Sequence, residues 1–273
     1  MILQIKSISQ VVGATNEMLF SQSDMLRYRL VMFAHFSISV SKYQEKHMPA
    51  VQEKGADMLK TGVRKYDVFR TYYWHDATLV GKYRLPQLKA TQSIPHDVIG
   101  FNERKGVINP QNHWIDFFID DSLFESFWNH PEQSFNSLKK YEGIVTTDYS
   151  MLPELLPGQN IWNCTRNRVM AYYLQSNDFD VVPVASWCEE EDFEWCFDGL
   201  PEHSSIAIST NGCMSSPYGQ RMFLRGVEEL QKRKEPTHLI VCGREVPGLG
   251  EYGNVIYYPC FSQRWKERVN NGK

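Results

Sequence analysis

A chain of 273 residues with 42% hydrophobic and 22% charged content can bury a core of its own, which excludes a low-complexity or disordered polypeptide. Its 29 basic side chains are slightly outnumbered by 32 acidic ones, and the net charge of -3 excludes a generic basic coat for nucleic acid while leaving room for a local basic patch. No apolar run reaches the roughly 18 residues that span a bilayer, and the first residues lack the pattern of a secretory signal. No membrane partner and a cytoplasmic location are therefore expected. Cys164, Cys188, Cys196, Cys213, Cys242 and Cys260 follow no framework spacing and include no Cys-x-x-Cys, which predicts reduced thiols and no zinc site.

Residues 1–80 read as an N-terminal extension of mixed helix and strand. Residues 24–40 are amphipathic and could dock on a partner, residues 44–59 have helical spacing, and the aromatic run 67–74 predicts a strand. From Tyr83 the pattern becomes regular. Residues 94–101 and 113–119 predict strands, and Ser122 to Glu125 reads as a capping box that opens a helix broken at Pro131. Residues 144–147 form the next strand, followed by a proline-rich loop over 151–158 and a helix over 160–175. Residues 181–185 are a strand before a second capping pattern, Ser186 to Glu189, with an acidic run suited to a helix start. Strand 205–209, a helix opened by Ser216-Pro217 and ending near Lys234, strand 238–243, a flexible loop over 248–253 and strand 254–258 complete the series. The core is thus expected over 81–265, with a polar tail over 266–273.

Seven strand candidates, mostly alternating with helices, predict an α/β fold with a parallel sheet. A doubly wound sheet and a complete or partial (β/α)-barrel both fit, and the consecutive order favours the barrel.

Several runs occur in a specific order: Phe117 to Asp121, Thr147 to Ser150, Ile161 to Arg168, Val184 to Trp187, Cys196 to Pro201, and Ile208 to Cys213. In these runs the chain resembles, over roughly residues 83–265, the bacterial and phage family catalogued as domain of unknown function 4417. The resemblance implies an association with phages and mobile elements and carries no assigned activity.

Ligands of parallel α/β proteins sit at the carboxyl ends of the strands. That rule selects Asp120, Asp121, Asp148, Tyr149, Ser150, Trp187, Ser209, Asn211 and Cys213. Asp148 leads as nucleophile or general base, the alternative being a helix or turn cap in the proline-rich loop. Asp121, with Asp120, could act as its acid partner or offer oxygen ligands to a divalent metal, although capping alone explains an Asp-Asp-Ser run. Arg166, Arg168, Asn163 and Asn167 are conspicuous on a helix apolar around much of its circumference. They predict either contacts to an anionic or base-like ligand or partners that fasten the sheet. Residues 209–213 could cradle a phosphate through backbone N–H groups or be an ordinary Asn-Gly turn. Trp187 could stack on a base or fill the core.

The chemistry expected first is an enzyme acting on a nucleotide or nucleic acid, with glycosidic and phosphoester reactions both open. The phage association contributes to that choice of ligand. The alternative is a non-enzymatic binder that sequesters a nucleotide signal or blocks a host protein, with the extension as the candidate contact. No cofactor is legible.

Overall fold

The structure is a computed structural model, and it describes residues 69–271. The expected helices and docking face over 24–59 lie outside the described residues. A short antiparallel ribbon, β1 (Leu79–Val80) with β2 (Leu85–Pro86), precedes two parallel sheets. The first, four-stranded, has the order β3 (Val98–Gly100), β4 (Trp114–Phe117), β5 (Gly143–Thr147), β6 (Val181–Val182). The second, three-stranded, has the order β7 (Ser205–Ser209), β8 (His238–Cys242), β9 (Val255–Tyr258). A parallel bridge from Val184 to Ala207 joins them, so the strands run in sequence order throughout.

Every residue of β4 and β5 is buried, because a parallel sheet is covered on both faces and its strands read as continuous apolar runs. One face packs on itself. Val98, Trp114, Val145, Val182, Ala207, Ile240 and Tyr258, at least one residue from each parallel strand, form a single apolar cluster. The opposite face packs on α1 (Glu125–Asn129), α2 (Glu132–Leu138), α3 (Pro157–Ser176) and α4 (Pro217–Lys234), through clusters that include Phe127, Leu138, Met170 and Val227.

The expected barrel is not closed. No backbone ladder joins β9 to β3 among the described residues. Side chains span that seam instead: the Tyr258 hydroxyl donates to the Pro95 carbonyl, and Arg264 of α5 (Phe261–Asn271) binds Glu103 at 2.7 Å. Nor do helices alternate fully with strands. The links β3–β4, β6–β7 and β8–β9 contain only 3-10 turns among their helical elements.

Other differences have local causes. The run expected as a strand over 67–74 contains a 3-10 turn at Thr71–Tyr73, which buries Tyr73 in the core and sends its hydroxyl to the Trp128 carbonyl (3.0 Å). Core packing therefore begins before residue 81. Asp120, not Ser122, caps the turn that leads to α1: its carboxylate accepts the Ser122 N–H at 2.9 Å. The segment after Ser186 is a 3-10 turn, Glu190–Glu194, because Asp192 folds back to accept the N–H groups of Cys188 (3.1 Å) and Glu189 (3.0 Å). The loop expected to be flexible over 248–253 holds a 3-10 turn and buries Leu249. Residues 266–271, expected as a polar tail, continue α5, where Arg268 also binds Glu103.

Candidate functional site

β5 delivers Asp148 to its carboxyl end, and the loop that follows is held from behind by one stripe of α3. Asn167 accepts the Tyr149 N–H (2.7 Å) and donates to the Tyr149 carbonyl (3.2 Å). Asn163 donates to the Ser150 carbonyl (2.6 Å), and Asn160 makes a two-way pair with the backbone of Leu152 (3.0 and 2.9 Å). Helical spacing puts positions 160, 163 and 167 on one face, so three amides satisfy backbone groups that a covered loop could not leave unpaired. From the other side Asp121 accepts the Ser150 N–H (3.1 Å) and hydroxyl (3.0 Å).

Arg166 belongs to the same support. It binds Glu125 and Asn163, each at 2.7 Å, and its guanidinium lies 3.6 Å from the centroid of the buried Tyr149 ring. Its Nη1 and Nη2 face these partners, while its buried Nε has no hydrogen-bond partner.

In front of the loop is a cavity of about 380 Å³ built from the ends of β5, β6 and β7. It brings together Asp148, Ser150, Trp187, Ser209, Asn211 and Cys213. Asp121, Tyr149, Asn163, Arg166 and Asn167 do not line it. Within the cavity Ser186 donates to Asp148 Oδ1 at 2.5 Å. Burial pushes the Asp148 carboxyl up to about 7; the Ser186 bond opposes this, and the charges of Asp121 and Asp116 add to it. A carboxyl at that value is divided between acid and base near neutral pH.

The other walls are less free. Trp187 donates its indole N–H to the Met222 carbonyl (3.1 Å), which fixes the ring against α4. The Ser209 hydroxyl donates to the Cys242 carbonyl (3.2 Å), and Asn211 donates to the Phe118 carbonyl (3.3 Å) across the sheet mouth. Burial, with the nearby Asp148 charge, pushes the Cys213 thiol up to about 11, which removes thiolate character at neutral pH.

Two residues escaped the sequence reading. Ser186 was assigned to a helix cap, yet it holds the leading carboxylate. Asp116 was an unremarked polar residue in an apolar strand. It is buried, its Oδ1 accepts the Phe118 N–H (2.9 Å), and its Oδ2 has no hydrogen-bond partner, with Arg264 at 3.5 Å. Burial raises its pKa. An aspartate in an apolar strand was the available signal.

No helix among the described residues is long and apolar enough to cross a membrane, and none of their acidic, His or Cys side chains gather into a metal-ligating group.

Fold and cleft together define a parallel α/β protein with a polar cavity at the carboxyl ends of its strands. The chain belongs to the family described as domain of unknown function DUF4417, whose model matches residues 77–259. It is similar to the "Gene 1 protein" of Mycobacterium phage D29, at 32% identity over 198 residues, covering 69% of this chain and 71% of the relative. It is also similar to the "Gene 1 protein" of Mycobacterium phage L5, at 29% identity over 197 residues, covering 69% of this chain and 85% of the relative. No solved structure matches.

Proposed function

We propose that this is a phage-type enzyme that acts on a nucleotide or nucleic acid in the strand-end cavity, with Asp148 as its general acid–base. The observation that carries the reading is convergence. Asp148 and Ser186, from separate strand ends, form a hydrogen-bonded pair inside a cavity whose walls also offer a Trp ring, hydroxyls and an amide. The aromatic wall suits a base, and the polar wall suits a sugar or phosphate. The phage origin of the two relatives is in keeping with such a ligand.

For hydrolysis of a glycosidic or phosphoester bond, the ionised Asp148 takes a proton from water. The water oxygen bonds to the anomeric carbon or phosphorus, and the bond to the leaving group breaks. Asp148 then returns the proton to the leaving group. One carboxyl can serve both halves because its pKa lies close to neutral.

The test is mass-spectrometric detection of released base or phosphate from a panel of nucleotides and oligonucleotides. Turnover by the natural chain, absent in Asp148→Asn and with a pH midpoint near 7, is expected. Undiminished turnover in the variant removes the assignment. Binding without turnover moves the protein to the non-enzymatic class.

A further inference from the structure

A second cavity of about 230 Å³ adjoins the Asp148 cavity and shares Asn211, Gly212 and Ser215 with it as lining. The new walls come from the ends of the last two strands: Arg244, two residues beyond β8, and the opening turns of α5, including Ser262 and Lys266. No aspartate or glutamate lines this second cavity, whereas the first contains Asp148 and Glu154.

Its two cations are uncommitted. The side chains of Arg244 and Lys266 are exposed and make no ion pair or hydrogen bond among the described residues. The neighbouring Arg264 and Arg268, by contrast, are held by Glu103. The Arg244 backbone is fixed, since its N–H donates to the buried Thr210 hydroxyl at 2.7 Å, so the guanidinium springs from a rigid strand end. Two unpaired cations beside hydroxyls, in a lobe free of carboxylates on a chain of net charge -3, form a local reversal of sign that suits an anion.

We propose that the second cavity is the phosphate subsite of the cleft: Arg244 and Lys266 hold a phosphate of the ligand whose ring and reacting bond lie in the Asp148 cavity. This rests on the nucleotide reading above and deepens it by assigning the two ends of the ligand to two lobes.

The test is calorimetric titration of the full chain with the ribonucleoside 5′-monophosphates, their parent nucleosides and a mixed-sequence single-stranded oligonucleotide. Phosphate-bearing probes should bind more tightly than nucleosides and weaken with salt, and the Arg244→Ala/Lys266→Ala double variant should lose about tenfold or more of that affinity. Tighter binding of the oligonucleotide assigns the phosphate to a chain; tighter binding of a monophosphate assigns it to a free nucleotide. Equal affinity for nucleotide and nucleoside, or an unchanged affinity in the double variant, overturns the subsite. Asp148→Asn should keep the preference for phosphate while losing turnover, so failure of the acid–base assignment is read separately from failure of the subsite.

Discussion

The Ser186 hydroxyl donates to Asp148 Oδ1 at 2.5 Å, tying the ends of β5 and β6 together inside the cleft. The bond favours the carboxylate, yet burial outweighs it, and the negative charges of Asp121 and Asp116 push in the same direction as burial. The outcome is a carboxyl group poised near neutral pH on a rigid strand end, a costly arrangement for stability and a useful one for proton transfer.

That cost gives the first prediction. Asp148 has a pKa of about 7 in the fold against an ordinary 3.8, so between those values the folded state holds a proton the unfolded chain has lost. Folding is then progressively disfavoured as pH rises through that window, and the loss levels off above it, at an amplitude on the order of a few kcal/mol. Asp148→Asn removes this contribution. Melting curves of the two proteins should coincide near the acid end of the window, with the variant melting higher at pH 8. Some pH dependence should persist in the variant, because Asp116 and Asp121 are raised as well. A variant that melts lower than the natural chain at pH 8 would contradict the account.

Arg166 supplies the second. Its partners are Glu125, Asn163 and the Tyr149 ring, so Arg166→Ala should lower stability. Glu125 is half exposed, which limits the pair itself to about 1 kcal/mol in a double-mutant cycle with Glu125→Ala. Denaturant midpoints of the single and double variants measure that coupling. A coupling of zero, with ligand affinity lost in Arg166→Ala alone, would return Arg166 to the ligand.

The strands and their order were legible because each is an apolar run bounded by polar turns; Ser205–Ser209 and the helix from Pro217 to Lys234 match the expected bounds. The strand-end rule also named six of the residues that share the cavity. Hydrogen-bond direction was not legible. Asn163, Asn167 and Arg166 signalled only that a buried polar group needs a partner, and whether that partner is a ligand or a loop backbone depends on how α3 lies against residues 148–152. Barrel closure was illegible for a related reason. Seven consecutive strands suit a closed or an open sheet, and the seam is spanned by pairs distant in sequence, Tyr258 with Pro95 and Arg264 with Glu103.

The third prediction concerns the cleft wall. A Cβ added at Gly226 on α4 would fall 2.0 Å from the Trp187 indole, closer than side-chain atoms can approach. Gly226→Ala must therefore displace the ring or the helix, which strains the bond from the indole to the Met222 carbonyl. We expect a loss of about 1–3 kcal/mol and an altered tryptophan emission spectrum, because strain exceeds the gain in helix propensity. Unchanged stability and emission would mean that the contact relaxes at no cost.

Arg168 supplies the last and largest effect on stability. Its side chain is buried and forks to three backbone carbonyls: Asp198 (2.9 Å), Val184 (3.1 Å) and Cys196 (2.7 Å). Val184 also makes the bridge that joins the two sheets, so the guanidinium sits where the sheet would otherwise separate. Methionine at this position would fill much of the volume but donate to none of the three carbonyls, leaving Cys196 only the weak Cys164 thiol at 3.7 Å. Lysine would keep the charge but present a single point instead of a planar fork. Both Arg168→Met and Arg168→Lys should cost about 3–5 kcal/mol in urea unfolding, while turnover measured well below the melting range falls less than in Asp148→Asn. If Arg168→Lys unfolds within about 1 kcal/mol of the natural chain, charge alone accounts for the position and the fork geometry is unnecessary.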